Sequence, residues 1–244
     1  MTKKRGKFIV FEGIDASGKA TQTKLLVDYL KHAGLTVNTI GFPQYGQSFF
    51  GKMIGEYLDG QFGDLKAVAP RLTALMYAGD RFEARAKIMA QLAAGEYVVA
   101  DRYVGSNLVF QSARVPINER LEFMGWLEKL EYGVYKLPKE DANIYLNISV
   151  ELSQKLVRQK HGRIYTSKKA DLYEDNPLFL SDVAYRYRWF VEQYPRWHQM
   201  ESLDGLGNLR TREAVHGDII KLLQAEDIVP KTARLNRAQM DLAL

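Results

Sequence analysis

Two rhythms of hydrophobic and polar positions run along this chain. Short apolar runs, rich in β-branched and aromatic residues, occur at KFIVFEG (7–13), TVNTIGF (36–42), YVVAD (97–101) and ANIYLNI (142–148), with a weaker one at QMESLD (199–204). Runs of this length, closed by Gly, Pro or Asp, read as buried strands. Between them apolar residues recur at helical spacing. Leu25, Leu26, Tyr29, Leu30 and Ala33 precede Gly34, which stands where a helix-ending glycine belongs. Leu72, Leu75, Met76, Ile88 and Leu92 form the apolar face of a long helix over 70–94, and further helical patterns cover 120–132, 178–197 and 212–223. Alternating strands and helices predict βαβ units: an α/β fold with a five-stranded parallel sheet flanked by helices. Residues 161–176 break the rhythm, being polar, basic and aperiodic. The expectation is one domain over 1–230 with a short basic lid at about 158–176, followed by a C-terminal tail at 231–244.

Composition narrows the chemistry. The 244 residues are 46% apolar and 26% charged, a soluble globular balance, and no apolar run is long enough to span a bilayer. The basic start resembles the head of a signal peptide, but Glu12 and Asp15 interrupt the apolar run that would follow, so a cytoplasmic location is expected. There is no cysteine, which excludes disulfides and thiolate chemistry, and the four histidines lack metal-ligand spacing. A net charge of +5 suits an anionic ligand without naming one.

GIDASGK, Gly13 to Lys19, supplies that ligand's class. It fits G-x-x-x-x-G-K between a strand and a helix, the arrangement of a phosphate-binding P-loop. The backbone N–H groups of Gly13, Ile14, Asp15, Ala16, Ser17 and Gly18 would curl around phosphate oxygens, with Lys19 adding a point charge and the helix N-terminus further positive potential. The next position departs from the pattern. Ala20 lacks the hydroxyl that usually touches Mg²⁺, and Thr21 lies about 100° further round the helix, so it is no direct substitute. Mg²⁺ would then be held mostly by phosphate oxygens and water, with Asp101 at the end of YVVAD placed to hold the metal or its waters. Arg102 follows at the sheet edge where α/β folds bind ligands. No N-K-x-D element is present, which counts against a switch GTPase.

Five segments in order, FEGIDASGKATQ, FPQYGQS, YAGDR, DRYVGSN and DLYE, together resemble the thymidylate kinases, P-loop nucleoside monophosphate kinases, over most of the chain from Phe8 to about Trp197. The resemblance implies transfer of the γ-phosphoryl group of ATP to dTMP with Mg²⁺, in a homodimer, with no nucleic acid or membrane as partner. It implies that Tyr77 stacks on thymine and that Arg81, one helical turn further on the same face, hydrogen-bonds a base carbonyl. Phe42 and Pro43 would wall the base pocket, and Asn107 would read the pyrimidine edge, with Ser106 and Gln111 as lesser members. Phe110 matches a ring that crowds the sugar, although core packing accounts for it equally well. Asp15 would meet the sugar 3′-hydroxyl or the metal region, or cap its own loop. Arg102 would grip the acceptor phosphate and then the transferring group.

In two places the chain departs from the family pattern. An arginine often follows the FP pair; here Gln44 and Tyr45 carry no charge, and Tyr45 offers one hydrogen bond. Position 16 is Ala where some members have arginine, so the lid would supply the charge, from Arg163 first and Arg158 next among Arg158, Lys160, Arg163, Lys168 and Lys169. Tyr173 and Glu174 match a family pair at the lid's end, Glu174 near the sugar or a metal-bound water. Rival readings are a kinase for another pyrimidine monophosphate, a deoxynucleoside kinase with Glu12 as its base, and a nucleotide-binding module without catalysis, to which Ala20 and the uncharged Gln44 and Tyr45 point.

Overall fold

A computed structural model describes residues 4–159, 173 and 176–231. The expected lid residues Lys160, Arg163, Lys168, Lys169 and Glu174 and the tail beyond 231 lie outside the described residues. Five strands, β1 (Phe8–Glu12), β2 (Val37–Gly41), β3 (Tyr97–Asp101), β4 (Ala142–Asn147) and β5 (Trp197–Glu201), form one sheet in the order β2-β3-β1-β4-β5, parallel throughout. The helices are α1 (Lys19–His32), α2 (Phe49–Leu58), α3 (Pro70–Ala93), α4 (Val104–Ser112), α5 (Arg120–Glu128), α6 (Val150–Gln159), α7 (Pro177–Gln193) and α8 (Arg212–Ala225). No helix among the described residues is long and apolar enough to cross a membrane.

β1 explains why its run is apolar without alternation. Successive side chains of a strand point to opposite faces. Phe8 and Val10 pack into a core shared with α2 to α5 and α7, whereas Ile9 and Phe11 pack against Leu26 and Leu30 of α1 and Val215, Ile219 and Leu223 of α8. A parallel strand covered on both faces has no solvent side to hold polar residues.

β1 is also where the strand order reverses, since β3 lies on one side of it and β4 on the other. The loops leaving its C-terminal end and that of β3 therefore open into a crevice, where such sheets bind ligands. In register, Phe11 sits beside Asp101, so the loop after β1 and the Asp101–Arg102 pair at the end of β3 are neighbours.

Some boundaries differ from the sequence expectation. The helix expected over 178–197 stops at Gln193, and the last strand begins at Trp197 rather than at 199. Pro195 is the cause: the residue before a proline is driven out of helical geometry, and Tyr194 is extended at φ −122° and ψ 119°. The pattern over 120–132 is an α-helix only to Glu128, then a π-helical turn over Lys129–Val134. On α3, Leu72 is 57% exposed, while Asp80 and Arg81 are buried. Its inner face is thus partly polar, which hydrophobic spacing cannot register. The sequence expectation has no helix at α2, α4 or α6, although α2 and α6 are amphipathic.

Candidate active site

The loop between β1 and α1 is built for close approach. Gly13 has φ +145°, and a Cβ there would lie 2.8 Å from Ser17 Oγ and 2.9 Å from the Leu146 carbonyl. Only glycine lets the strand turn at that point. Ala16 also takes a left-handed conformation, at φ 56°, and Gly18 caps α1 without a side-chain hydrogen bond. The buried Ser17 Oγ has no partner, as expected of a donor awaiting an anion at a helix N-terminus.

Lys19 folds back over this loop. Its Nζ donates to the carbonyls of Ile14 at 2.8 Å and Gly13 at 3.2 Å. Burial, followed by repulsion from Arg102, lowers its pKa to about 8, against the pull of Asp101, Asp15 and Glu12. Phosphate charge arriving beside Nζ restores the protonated state, so nucleotide binding above pH 8 draws in a proton. Affinity for a phosphate ligand is therefore expected to fall as pH rises through 8, because the free protein must regain that proton to bind. Titration calorimetry at pH 8.5 in buffers of different ionisation enthalpy is expected to show uptake of roughly three-quarters of a proton. Uptake near zero would place the lysine's titration elsewhere.

Arg102 joins the loop to α4. Nη1 donates to the Gly13 carbonyl at 2.8 Å and to Ser106 Oγ at 3.1 Å, and Nη2 pairs with Asp15 Oδ1 at 2.8 Å. Its guanidinium lies 5.3 Å from the Phe110 ring centroid. Burial opposes its charge, but Asp15, Tyr187, Asp101 and Glu12 outweigh that and keep it charged. The residue sits at φ 67°, a left-handed conformation unusual outside glycine and typical of backbone held for function.

Glu12 is fully buried and anchors the start of α4. It accepts hydrogen bonds from the Tyr103 and Ser106 amides, from Ser106 Oγ at 2.6 Å and from Tyr187 Oη at 2.9 Å. With four donors on two oxygens it has no lone pair left for a substrate hydroxyl. The rival role as a catalytic base for a deoxynucleoside is therefore withdrawn.

Two recesses meet at Asp15, Pro43, Tyr45 and Arg102, which line both. The larger runs along the P-loop and includes Ala16, Gly18, Lys19, Ala20, Thr21 and Asp101. The smaller is closed by Tyr77, Asn107, Phe110, Gln111, Leu58 and Tyr173, a mix of rings and polar groups. Tyr173 stacks on Phe179, and its hydroxyl accepts from Gln111 Nε2 at 3.1 Å, so it forms a wall of the smaller recess.

Several expected residues stand differently. Phe42 lines the larger groove and packs on Tyr103, while Pro43, joined to it by a cis peptide, reaches both recesses. Arg81 does not reach the cavity wall. Its guanidinium is spent on Glu131, through Nε at 3.0 Å and a second contact from Nη2, where a buried carboxylate matches its charge. Gln44 turns to Asp80, which accepts from both its amide and its side chain and so clamps the FPQYGQS loop to α3. Arg158 is exposed in the last turn of α6, whose Val157 lines the groove instead. Sequence reading missed Ser153, which donates to the Asp15 carbonyl at 2.6 Å and had no recognisable motif. It missed Glu131 too, although Phe123, Leu127 and Glu131 share one helical face and a carboxylate on an apolar stripe is a signal.

A P-loop at the switch point of a parallel sheet, with two adjoining recesses and one arginine between them, defines a nucleotide-binding α/β protein with room for a second small ligand. Comparison with known proteins makes this particular. The thymidylate kinase family model matches residues 11–198. Thymidylate kinase of Plasmodium falciparum is 31% identical over 235 residues, covering 94% of this chain and 95% of that protein. The Mycobacterium tuberculosis (strain CDC 1551 / Oshkosh) thymidylate kinase is 34% identical over 155 residues, 64% of this chain and 72% of the other. In fold, the chain matches the solved thymidylate kinase of Candida albicans with a TM-score of 0.71 at 22% identity, covering 92% and 93% of the two chains. This chain belongs to the thymidylate kinase family.

Proposed function

We propose that the protein transfers the γ-phosphoryl group of ATP to dTMP, giving ADP and dTDP. ATP takes the groove along the P-loop and dTMP the smaller recess. The observation that carries this reading is Arg102, whose guanidinium lies on the wall common to both and is held at Gly13, Asp15 and Ser106.

Phosphoryl transfer asks for alignment and charge neutralisation more than for a strong base. The loop amides and Lys19 hold the donor phosphates. Arg102, oriented by Asp15, meets the acceptor phosphate and the charge that spreads over the transferring group. Tyr77 stacks on the base, while Phe110 and Tyr173 close the sugar side. The residues also fit Mg²⁺, which would shield the phosphate charge when bound. Asp101 borders the groove, and its carboxylate makes no hydrogen bond or ion pair among the described residues. It would hold the ion chiefly through water, since no cluster of three ligating side chains exists among those residues and Ala20 offers no hydroxyl. We further propose a homodimer working in the cytoplasm, with Arg163 of the basic segment as the lid's charge.

ADP release with ATP and Mg²⁺ against dTMP, dUMP, thymidine, CMP, UMP, AMP and GMP tests the reading. A profile led by dTMP is expected. Binding of ATP with turnover of none of these acceptors would leave a nucleotide-binding module and overturn it.

A further inference from the structure

We propose that Glu131 sets which pyrimidines the smaller recess accepts, as a positioning residue acting through Asn107. The inference rests on that recess being the acceptor-base pocket. Glu131 is fully buried in the π-helical turn after α5 and is not itself on the cavity wall. Its Oε2 accepts from Arg81 Nε at 3.0 Å, and its Oε1 accepts from Arg81 Nη2 and from Asn107 Nδ2, the latter at 2.8 Å. Asn107 Nδ2 also donates to the Ala74 carbonyl at 3.0 Å.

Both amide protons of Asn107 are thus given to groups that can only accept, a carboxylate and a carbonyl. The amide has one workable orientation. Its other end, Oδ1, is buried, lies on a side chain lining the cavity and has no partner. A buried acceptor in that state calls for a donor from the ligand. Thymine and uracil present a ring N3–H. Cytosine presents a lone pair at N3 and meets oxygen with nitrogen, two acceptors facing each other. Glu131 therefore makes the pocket one for 4-oxo pyrimidines, and the 5-methyl group plays no part in this choice. Arg81 serves the same end by geometry: its two donors, one on each carboxylate oxygen, fix Glu131 in place beside Asn107.

The test compares kcat/KM for dTMP, dUMP and dCMP in the wild type, in Glu131→Gln and in Glu131→Gln/Arg81→Met. The double variant replaces a buried ion pair by neutral side chains and protects against misfolding. A glutamine at 131 can donate to Asn107 and lets its amide turn. The wild type is expected to prefer dTMP over dCMP by at least ~10³-fold, and the variants to lose at least ~10-fold of that ratio. The ratio of dTMP to dUMP, which share the N3–H, stays unchanged; a merely structural defect would depress all three alike. A selective wild type with an unchanged dTMP to dCMP ratio in folded variants overturns the proposal. A wild type inactive on dTMP instead removes the pocket reading beneath it. Should neither variant fold, wild-type binding decides: dCMP is expected to bind at least ~100-fold more weakly than dUMP, and equal affinity overturns the inference.

Discussion

Arg102→Ala is expected to lower kcat on the order of 10³-fold, with the ATP dissociation constant changed by less than about 10-fold. The guanidinium sits between the two recesses, where only a group that meets both ligands can act on the transferring charge. Its side chain is 13% exposed, so water neither screens it strongly nor replaces it readily when lost. An arginine that stabilises charge developing between two phosphates acts mainly in the transition state, hence on kcat. Arg102→Lys keeps the charge but not the planar fork that reaches Gly13, Ser106 and Asp15 together, and should recover only a small part of the rate. Arg102→Gly suits the local φ of 67° and relaxes the backbone, so an equal loss there would assign the effect to the side chain. Steady-state kinetics beside thermal melts make the check. Near-normal turnover in folded Arg102→Ala would end the assignment.

Lys19→Met is the second large effect, an expected fall in kcat of roughly 10²–10³-fold. Lys19 is only 7% exposed, already mostly stripped of water, so its interaction with phosphate is not offset by a large fresh desolvation cost. The loop itself should survive the change. The Gly13 carbonyl keeps its bond from Arg102 Nη1 at 2.8 Å, and the Ile14 carbonyl keeps the Ser17 amide at 3.4 Å. Methionine fills the volume of the lysine stem with no unpaired charge. The same variant should abolish the proton uptake on ATP binding at pH 8.5, which links the kinetic loss to this amine. A Lys19→Met protein that retains its rate would show that the loop holds phosphate by backbone alone, and retained proton uptake would assign the titration to another group.

The residues that make the P-loop were legible because their chemistry is local. A strand, a glycine turn and a lysine at the head of a helix need only neighbours in the chain, and GIDASGK contains them all. The five parallel strands were legible for a similar reason, since burial on both faces writes itself into each run as unbroken apolar residues. Pro195 was present in the sequence as well, yet the pattern over 178–197 concealed the break that proline imposes on Tyr194.

What the sequence determined alone was the class of chemistry: a phosphate loop, a carboxylate and an arginine after the third strand, and an aromatic–arginine pair on one helix face. Which of those groups stay free for a ligand was decided only by tertiary structure. Arg81 belongs to Glu131, fifty residues away along the chain, Gln44 to Asp80, and Glu12 to the start of α4 and Tyr187. A buried polar group must find a partner, and that partner comes from whichever element the fold packs against it, a fact with no periodicity or local motif to announce it.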